Sequence, residues 1–316
     1  MKLRLSTAPH LLSGDSTRRR MSDVLTALIP ASAVGVYLFG LQSLWILLVS
    51  IASAVAAEYA WQKLAGKTVT IADLSAAVTG LLIGLNMPSS APLWLPAIGS
   101  VFGIIVVKQV FGGIGHNFLN PALAARAMLL VSWPARMTTF FLPERLLTFG
   151  AESSAPIGDA VTSATPLIKS GTALFDLFMG NIPGTIGEVC KIAILLGFVY
   201  LLIRRTIEFE IPVLFVGTVA LMSFIMGKDP LTAILTGGVL FGAVFMATDY
   251  VTRPMLIPGK CIFAIGAGVI VVLIREFGGY PEGVTYAILL MNVVTPLLDK
   301  LVKRSVYGEV KKHAKV

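Results

Sequence analysis

Charge is what this sequence has least of. Only 13% of its 316 residues are Asp, Glu, Lys or Arg, about half the ~25% of an ordinary water-soluble domain. A folded surface so poor in charge cannot face water on all sides, which excludes a soluble globular protein. Cysteine is nearly absent as well. Cys190 and Cys261 stand far apart, each near the start of an apolar segment. That excludes CxxC redox pairs, zinc sites and iron–sulfur clusters held by this chain, and both thiols read as small buried apolar side chains. There is no convincing dinucleotide-binding fingerprint either.

What is present is apolar. Residues of the AVILMFWYC set make up 56% of the chain, and the mean hydropathy is +0.84. The length is therefore counted in membrane spans of roughly 20 residues each. The net charge of +8 collects at the ends, in Lys2, Arg4, Arg18, Arg19 and Arg20 and in Lys300, Lys303, Arg304, Lys311, Lys312 and Lys315. Basic tails beside apolar spans mark cytoplasmic ends. No stacking platform accompanies them, so nucleic acid is not an expected partner. The apolar run after Arg20 continues to about Ala57, far beyond the roughly 7–15 residues of a signal-peptide core. A retained signal anchor is expected.

Apolar segments lie at 22–41, 43–60, 73–87, 92–111 and 119–133, then at 188–204, 210–226, 229–248, 260–276 and 282–300. The expectation is an all-α integral membrane protein of about ten transmembrane helices. Residues 1–20 form a cytoplasmic N-terminal segment, 21–133 and 188–300 two five-helix units, and 301–316 a cytoplasmic basic tail. Between the units lies the longest polar interval, 134–187, with Arg136, Glu144, Arg145, Glu152, Asp159, Lys169 and Asp176. With the N-terminus inside, the loops holding Lys63, Lys67, Lys108, His116, Arg204, Arg205, Arg253 and Lys260 also fall inside. The 134–187 loop then falls outside, and the topology is self-consistent.

A faint repeat runs through the chain. Phe111-Gly112-Gly113 is echoed by Phe277-Gly278-Gly279, and Thr79-Gly80 by Thr236-Gly237. A unit with an odd number of spans must be inverted relative to its copy, so two inverted five-helix repeats are expected. The third and fifth segments are short and broken by Asn86-Met87-Pro88 and Asn120-Pro121. Broken helices at matching places point to a midplane site, although Gly and Pro are common in membrane helices for other reasons.

In the central interval, Asp159-Ala160-Val161-Thr162-Ser163-Ala164-Thr165-Pro166-Leu167 is a small, hydroxyl-rich stretch ended by proline. By composition it is a turn whose hydroxyls bond their own backbone. No His, Lys or Cys stands beside these hydroxyls to activate a nucleophile, so catalytic residues are not expected here. The stretch resembles the flavinylation motif of the membrane subunits of Rnf and sodium-pumping quinone reductase complexes. In that family the last Thr is esterified by the phosphate of FMN through a flavin transferase. The match runs over Asp159, Thr162, Ser163, Ala164 and Thr165. The resemblance therefore implies covalent FMN on Thr165, with Ser163 where the family more often has glycine.

Further stretches are similar to the same family: Gly112-Gly113-Ile114-Gly115-His116-Asn117-Phe118-Leu119-Asn120-Pro121-Ala122 followed by Arg126, and Phe245-Met246-Ala247-Thr248-Asp249 followed by Thr252 and Pro254. Tyr280-Pro281-Glu282-Gly283-Val284 and Leu289-Leu290-Met291-Asn292 extend the likeness toward the C-terminus. Tyr250 and Lys260 depart from it, standing where proline and arginine are usual. Length places the chain with the RnfD branch of the family.

Ionisable groups within spans are functional suspects, since burying one in lipid costs at least ~2.5–3.5 kcal/mol on insertion scales. Arg126 lies mid-segment and can hold a flavin carbonyl or a carboxylate, or form a structural ion pair. Asn86, Asn120 and Asp249 are candidates for an ion or second-flavin site; no metal site is expected. Glu58, Asp73 and Glu282 lie nearer segment ends and are expected to reach the interface.

The resemblance implies a multi-pass subunit of the inner (cytoplasmic) membrane. It would belong to an ion-translocating ferredoxin:NAD+ oxidoreductase complex, an oxidoreductase and translocase whose complete active site this chain does not hold. It would carry electrons through FMN and couple them to Na+ or H+ movement. Iron–sulfur and flavin subunits, a flavin transferase and membrane lipid are the implied partners, and noncovalent riboflavin is a further implied cofactor. The alternative is a redox-inactive transporter or channel for a small solute or ion. The repeat and broken helices fit it equally well, but it leaves the Asp159–Thr165 pattern without a role.

Overall fold

The computed structural model describes residues 16–141, 174–180, 182–278 and 283–302. Apart from one isolated antiparallel bridge between Pro88 and Thr185, the regular structure among them is helical. The first half holds α1 (Thr17–Phe39), α2 (Leu41–Leu64), α3 (Ser75–Leu85), α4 (Trp94–Phe102), α5 (Pro121–Ser132) and the short α6 (Pro134–Thr138). After the central interval come α7 (Leu174–Met179), α8 (Lys191–Ile203), α9 (Glu210–Ile225), α10 (Pro230–Leu235), α11 (Val239–Phe241), α12 (Ile257–Phe277) and α13 (Val284–Leu301).

Helix occurs within each of the ten apolar segments, with the eighth divided between α10 and α11. Of these helices α1, α2, α12 and α13 are long and apolar enough to cross a membrane. Several others are shorter apolar helices, for local reasons. Helix α3 ends at Leu85, where the Asn86 N–H still reaches the Leu82 and Ile83 carbonyls before Pro88 turns the chain. Helix α5 starts at Asn120, whose side-chain oxygen accepts from the Ala122 and Leu123 N–H groups, with Pro121 in the first turn. Helix α10 starts with the same device, Asp229 capping Leu231 and Thr232 ahead of Pro230. Such caps satisfy donors that a helix start leaves unpaired, and proline there removes one of them.

Two helices loosen into π-helix as they proceed: α4 through Gly103–Gln109 and α11 through Gly242–Met246. Wider turns of this kind are rare and cluster at functional sites. Large apolar side chains such as Trp45, Leu196, Phe224 and Ile225 remain exposed around the helices, as lipid-facing surface requires.

Helix α2 packs on α3, α9 on α12, and α1 on α8, and glycine sets the approach. A Cβ at Gly80 would come within 2.7 Å of the Ser50 carbonyl oxygen and 2.8 Å of the Ile51 Cα, both α2 backbone. Backbone cannot swing aside as a side chain can, so Gly80→Ala will force α2 and α3 apart. A loss of about 1–3 kcal/mol is expected for such overpacking, checked by thermal unfolding in detergent.

Two expectations change. Glu58 does not reach the interface: it is 1% exposed and its carboxylate is held by Lys108 and Gln109. Asp73 is half-buried and accepts from the Ser75 N–H and hydroxyl, while Glu282 lies outside the described residues. The end of the polar interval is no exposed loop either. Residues 185–190 are buried, with the Ile186 and Gly187 N–H groups donating to the Met87 and Leu85 carbonyls. Cys190 is buried and Cys261 half-buried, both with free thiols.

Candidate functional site

The broken ends of α3 and α5 meet in the interior. Arg126, 5% exposed, donates from Nη1 to the Asn86 side-chain oxygen at 2.5 Å. The Asn86 amide nitrogen donates to the Leu82 carbonyl at 2.6 Å and lies 3.9 Å from the Met246 sulfur. Asn120 donates to the Met246 carbonyl at 3.3 Å. In the orientation that satisfies its neighbours, the Asn292 amide accepts from the Asn120 N–H at 3.2 Å and donates to the Ile288 carbonyl at 3.3 Å. Arg126, Asn86 and Asn120 thus join one network through Met246, with Asn292 added from α13. A guanidinium in this network supplies a fixed positive charge beside carboxamides, suited to a polar ring or an anionic group.

Asp249 stands apart from that network. It is half-buried, and its carboxylate accepts from the Val251 N–H at 3.4 Å and the Thr252 hydroxyl at 3.2 Å. It lies in the wall of a cavity whose empty volume is ≈ 860 Å³ including its mouth. Asn120 also lines this cavity, together with Asn117, Thr79, Lys108, Arg20, Val78, Leu82, Val244 and Phe245. Apolar walls with a few convergent polar groups are the usual make-up of small-molecule sites. The cavity meets the N-terminal end of α3, at Ser75 to Leu82. The flanks of the central interval lie at the other end of α3: Ser90 donates to the Thr139 carbonyl at 2.6 Å, and Pro88 bridges to Thr185.

Beside the cavity sits an ionic cluster. Lys108, 3% exposed, places Nζ 2.9 and 3.1 Å from the two Glu58 oxygens and 2.6 Å from the Ser75 hydroxyl. Gln109 adds a 2.6 Å bond to Glu58, and Gln62 links Glu58 to Thr70. Lys108 and Gln109, neighbours within the π-helical turn, both reach this one carboxylate. Sequence reasoning missed this pair because Lys108 read as an interior-loop cation. Its closeness to Phe111-Gly112-Gly113 was the signal available.

Glu208 precedes α9 and is paired with Lys260, with the Arg253 guanidinium nearby. The Lys260 hydrogen bond holds the Glu208 carboxyl below its ordinary range against the opposing effect of burial. Asp23 on α1 accepts from the Arg204 Nε at 3.1 Å and from the Thr206 hydroxyl at 3.3 Å.

Asp159, Thr162, Ser163, Ala164 and Thr165 lie outside the described residues. Among the described residues, no group of three or more His, Cys, Asp or Glu side chains is arranged to hold a metal ion.

The NQR2, RnfD, RnfE family model matches residues 4–308. The chain is 44% identical over 326 residues, 100% of this chain and 99% of the relative, to the D subunit of the Na(+)-translocating ferredoxin:NAD(+) oxidoreductase complex of Acetobacterium woodii. It is 40% identical, over 96% of each chain, to the D subunit of the proton-translocating ferredoxin:NAD(+) oxidoreductase complex of Clostridium ljungdahlii. To the D subunit of the ion-translocating oxidoreductase complex of Stutzerimonas stutzeri it is 38% identical, over 93% of this chain and 92% of the relative.

Proposed function

Because the chain belongs to the NQR2, RnfD, RnfE family, we propose that it is the D-type membrane subunit of an ion-translocating ferredoxin:NAD+ oxidoreductase complex. The observation that carries this reading is the end-to-end match to relatives named as that subunit. It is a multi-pass membrane protein, and its ten helical segments form two inverted five-helix repeats with both termini in the cytoplasm. The 134–187 interval is extracytoplasmic and carries FMN on Thr165, recognised through Asp159, Thr162, Ser163 and Ala164 by a flavin transferase. Bound FMN supplies one- and two-electron transfer. The residues of this chain tether it through a phosphoester and leave its ring free.

The lining of the cavity suits the ring of a second, noncovalent flavin such as riboflavin. The Asn117 and Asn120 carboxamides offer donors and acceptors to ring heteroatoms, and Val78, Leu82 and Phe245 offer apolar faces. Asp249 lies at its rim. Arg126 and Asn86 sit beyond Asn120, on the way from the cavity toward the flanks of the interval that carries Thr165. Their fixed charge and dipoles favour negative charge there, such as that of a reduced flavin. The other subunits supply iron–sulfur clusters and the NAD+ site, and electron flow is coupled to Na+ or H+ movement.

The decisive test is covalent flavin. Co-expressed with its flavin transferase and run on a denaturing gel, the chain will give a band that fluoresces under ultraviolet light. A dark band beside demonstrably active transferase would refute the reading and favour a redox-inactive transporter. Sidedness has its own test. A cysteine placed next to Thr165 will react with an impermeant thiol reagent added to intact cells, and labelling only after lysis would overturn the topology.

A further inference from the structure

Helix α10 ends at Leu235 and α11 begins at Val239, so the eighth apolar segment is interrupted at Thr236, Gly237 and Gly238. Interrupted membrane helices expose backbone carbonyls and helix ends, the groups from which coupling-ion sites are built. Facing this break are two buried charges that the electron-transfer reading does not use. Glu188 is 3% exposed and Lys191 0%. One Glu188 oxygen, Oε1, accepts from the Thr185 N–H at 3.1 Å. The other, Oε2, has no hydrogen-bond partner among the described residues. It lies 3.0 Å from where a Cβ on Gly238 would sit, so it is aimed at the break and a side chain there would crowd it.

The neighbouring cations are engaged with backbone. Lys191 donates from Nζ to the carbonyl of Glu188 and lies 3.5 Å from the carbonyl of Gly237. Arg275, on α12, holds the Ala233 carbonyl at 2.8 Å and the Thr236 carbonyl at 3.0 Å. A buried carboxylate oxygen with nothing to bond is costly unless something positive reaches it. We propose that Glu188 Oε2, with the Gly237 carbonyl at the α10–α11 break, binds one monovalent cation, Na+ or H+. The inference rests on the ion-coupling reading above and assigns that coupling a place. Lys191 balances the carboxylate when the cation is absent, and its ammonium keeps binding weak enough to reverse.

The test uses the assembled, flavin-loaded complex purified in detergent. Its melting is followed in one arm as NaCl replaces choline chloride at constant ionic strength, and in a second as pH is lowered without Na+. The wild type will be stabilised in one arm, which identifies the ion. Glu188→Gln will lose that stabilisation. Gly238→Ala, which keeps every charge but crowds Oε2, will need about tenfold more cation for half the effect, equivalent to about 1.4 kcal/mol in binding.

Equal shifts in wild type and Glu188→Gln, or no shift of the wild type in either arm, would overturn the site. Where Glu188→Gln does not assemble, an unchanged half-effect concentration in Gly238→Ala overturns it instead. Ferredoxin-dependent NAD+ reduction is measured on the same samples. Loss of a cation effect with turnover intact refutes the site alone. A cation effect that depends on Glu188 in a complex without turnover supports the site and counts against the electron-transfer reading.

Discussion

Thr165→Ala will leave a dark band where the wild-type chain fluoresces, and ferredoxin-dependent NAD+ reduction by the assembled complex will fall to background. The effect is all-or-none because alanine has no oxygen to esterify, and the resemblance assigns attachment to Thr165 rather than to Thr162 or Ser163. Thr165→Ser keeps a hydroxyl between Ala164 and Pro166 and will retain a measurable fraction of the flavin. Assembly, read by size-exclusion chromatography, will be unchanged in Thr165→Ala. A fluorescent Thr165→Ala band would move the attachment elsewhere, and a dark band with full turnover would remove covalent FMN from the electron path.

The second large effect is on stability. Lys108→Met will leave the Glu58 carboxylate buried, with Gln109 and Gln62 as its remaining partners. Breaking a buried ion pair by removing one partner costs about 3–5 kcal/mol, whereas replacing both partners by apolar groups is often neutral. Glu58→Met/Lys108→Met is therefore expected to recover most of the stability that Lys108→Met loses. Thermal unfolding of the two single variants and the double in detergent gives the coupling directly. Additive losses would show that the pair is not what holds α2 to the end of α4.

The apolar segments were legible in the sequence because lipid leaves a helix no alternative to satisfying its own backbone. So were the breaks at Asn86 and at Asn120–Pro121, since carboxamide caps and proline act locally. Arg126 was legible as a buried charge, and the structure joins it to Asn86 and Asn120. Asp249 resembled them in sequence but turns its carboxylate to Val251 and Thr252 on the cavity wall. What could not be read were pairings across long sequence separations. Glu58 and Lys108 looked like interfacial and loop residues because each sits near a segment end, and nothing local marks a partner on another helix. Glu188 and Lys191 were hidden for a related reason. They border the polar interval, and only the docking of Ile186 and Gly187 against the Met87 and Leu85 carbonyls carries them inside.

The π-helical stretch Gly103–Gln109 amounts to an inserted residue. Deleting one residue between Gly103 and Val107 would let this stretch close to ordinary α-helical pitch, with adjacent side chains about 100° apart, and shift Lys108 out of its present register. Lys108 would then leave Glu58 without any charged side chain having been altered. The neutrality of this part of the membrane interior is thus encoded in residue count as well as residue identity. A length change here would act like a charge mutation, although a comparison of side chains alone would find nothing missing.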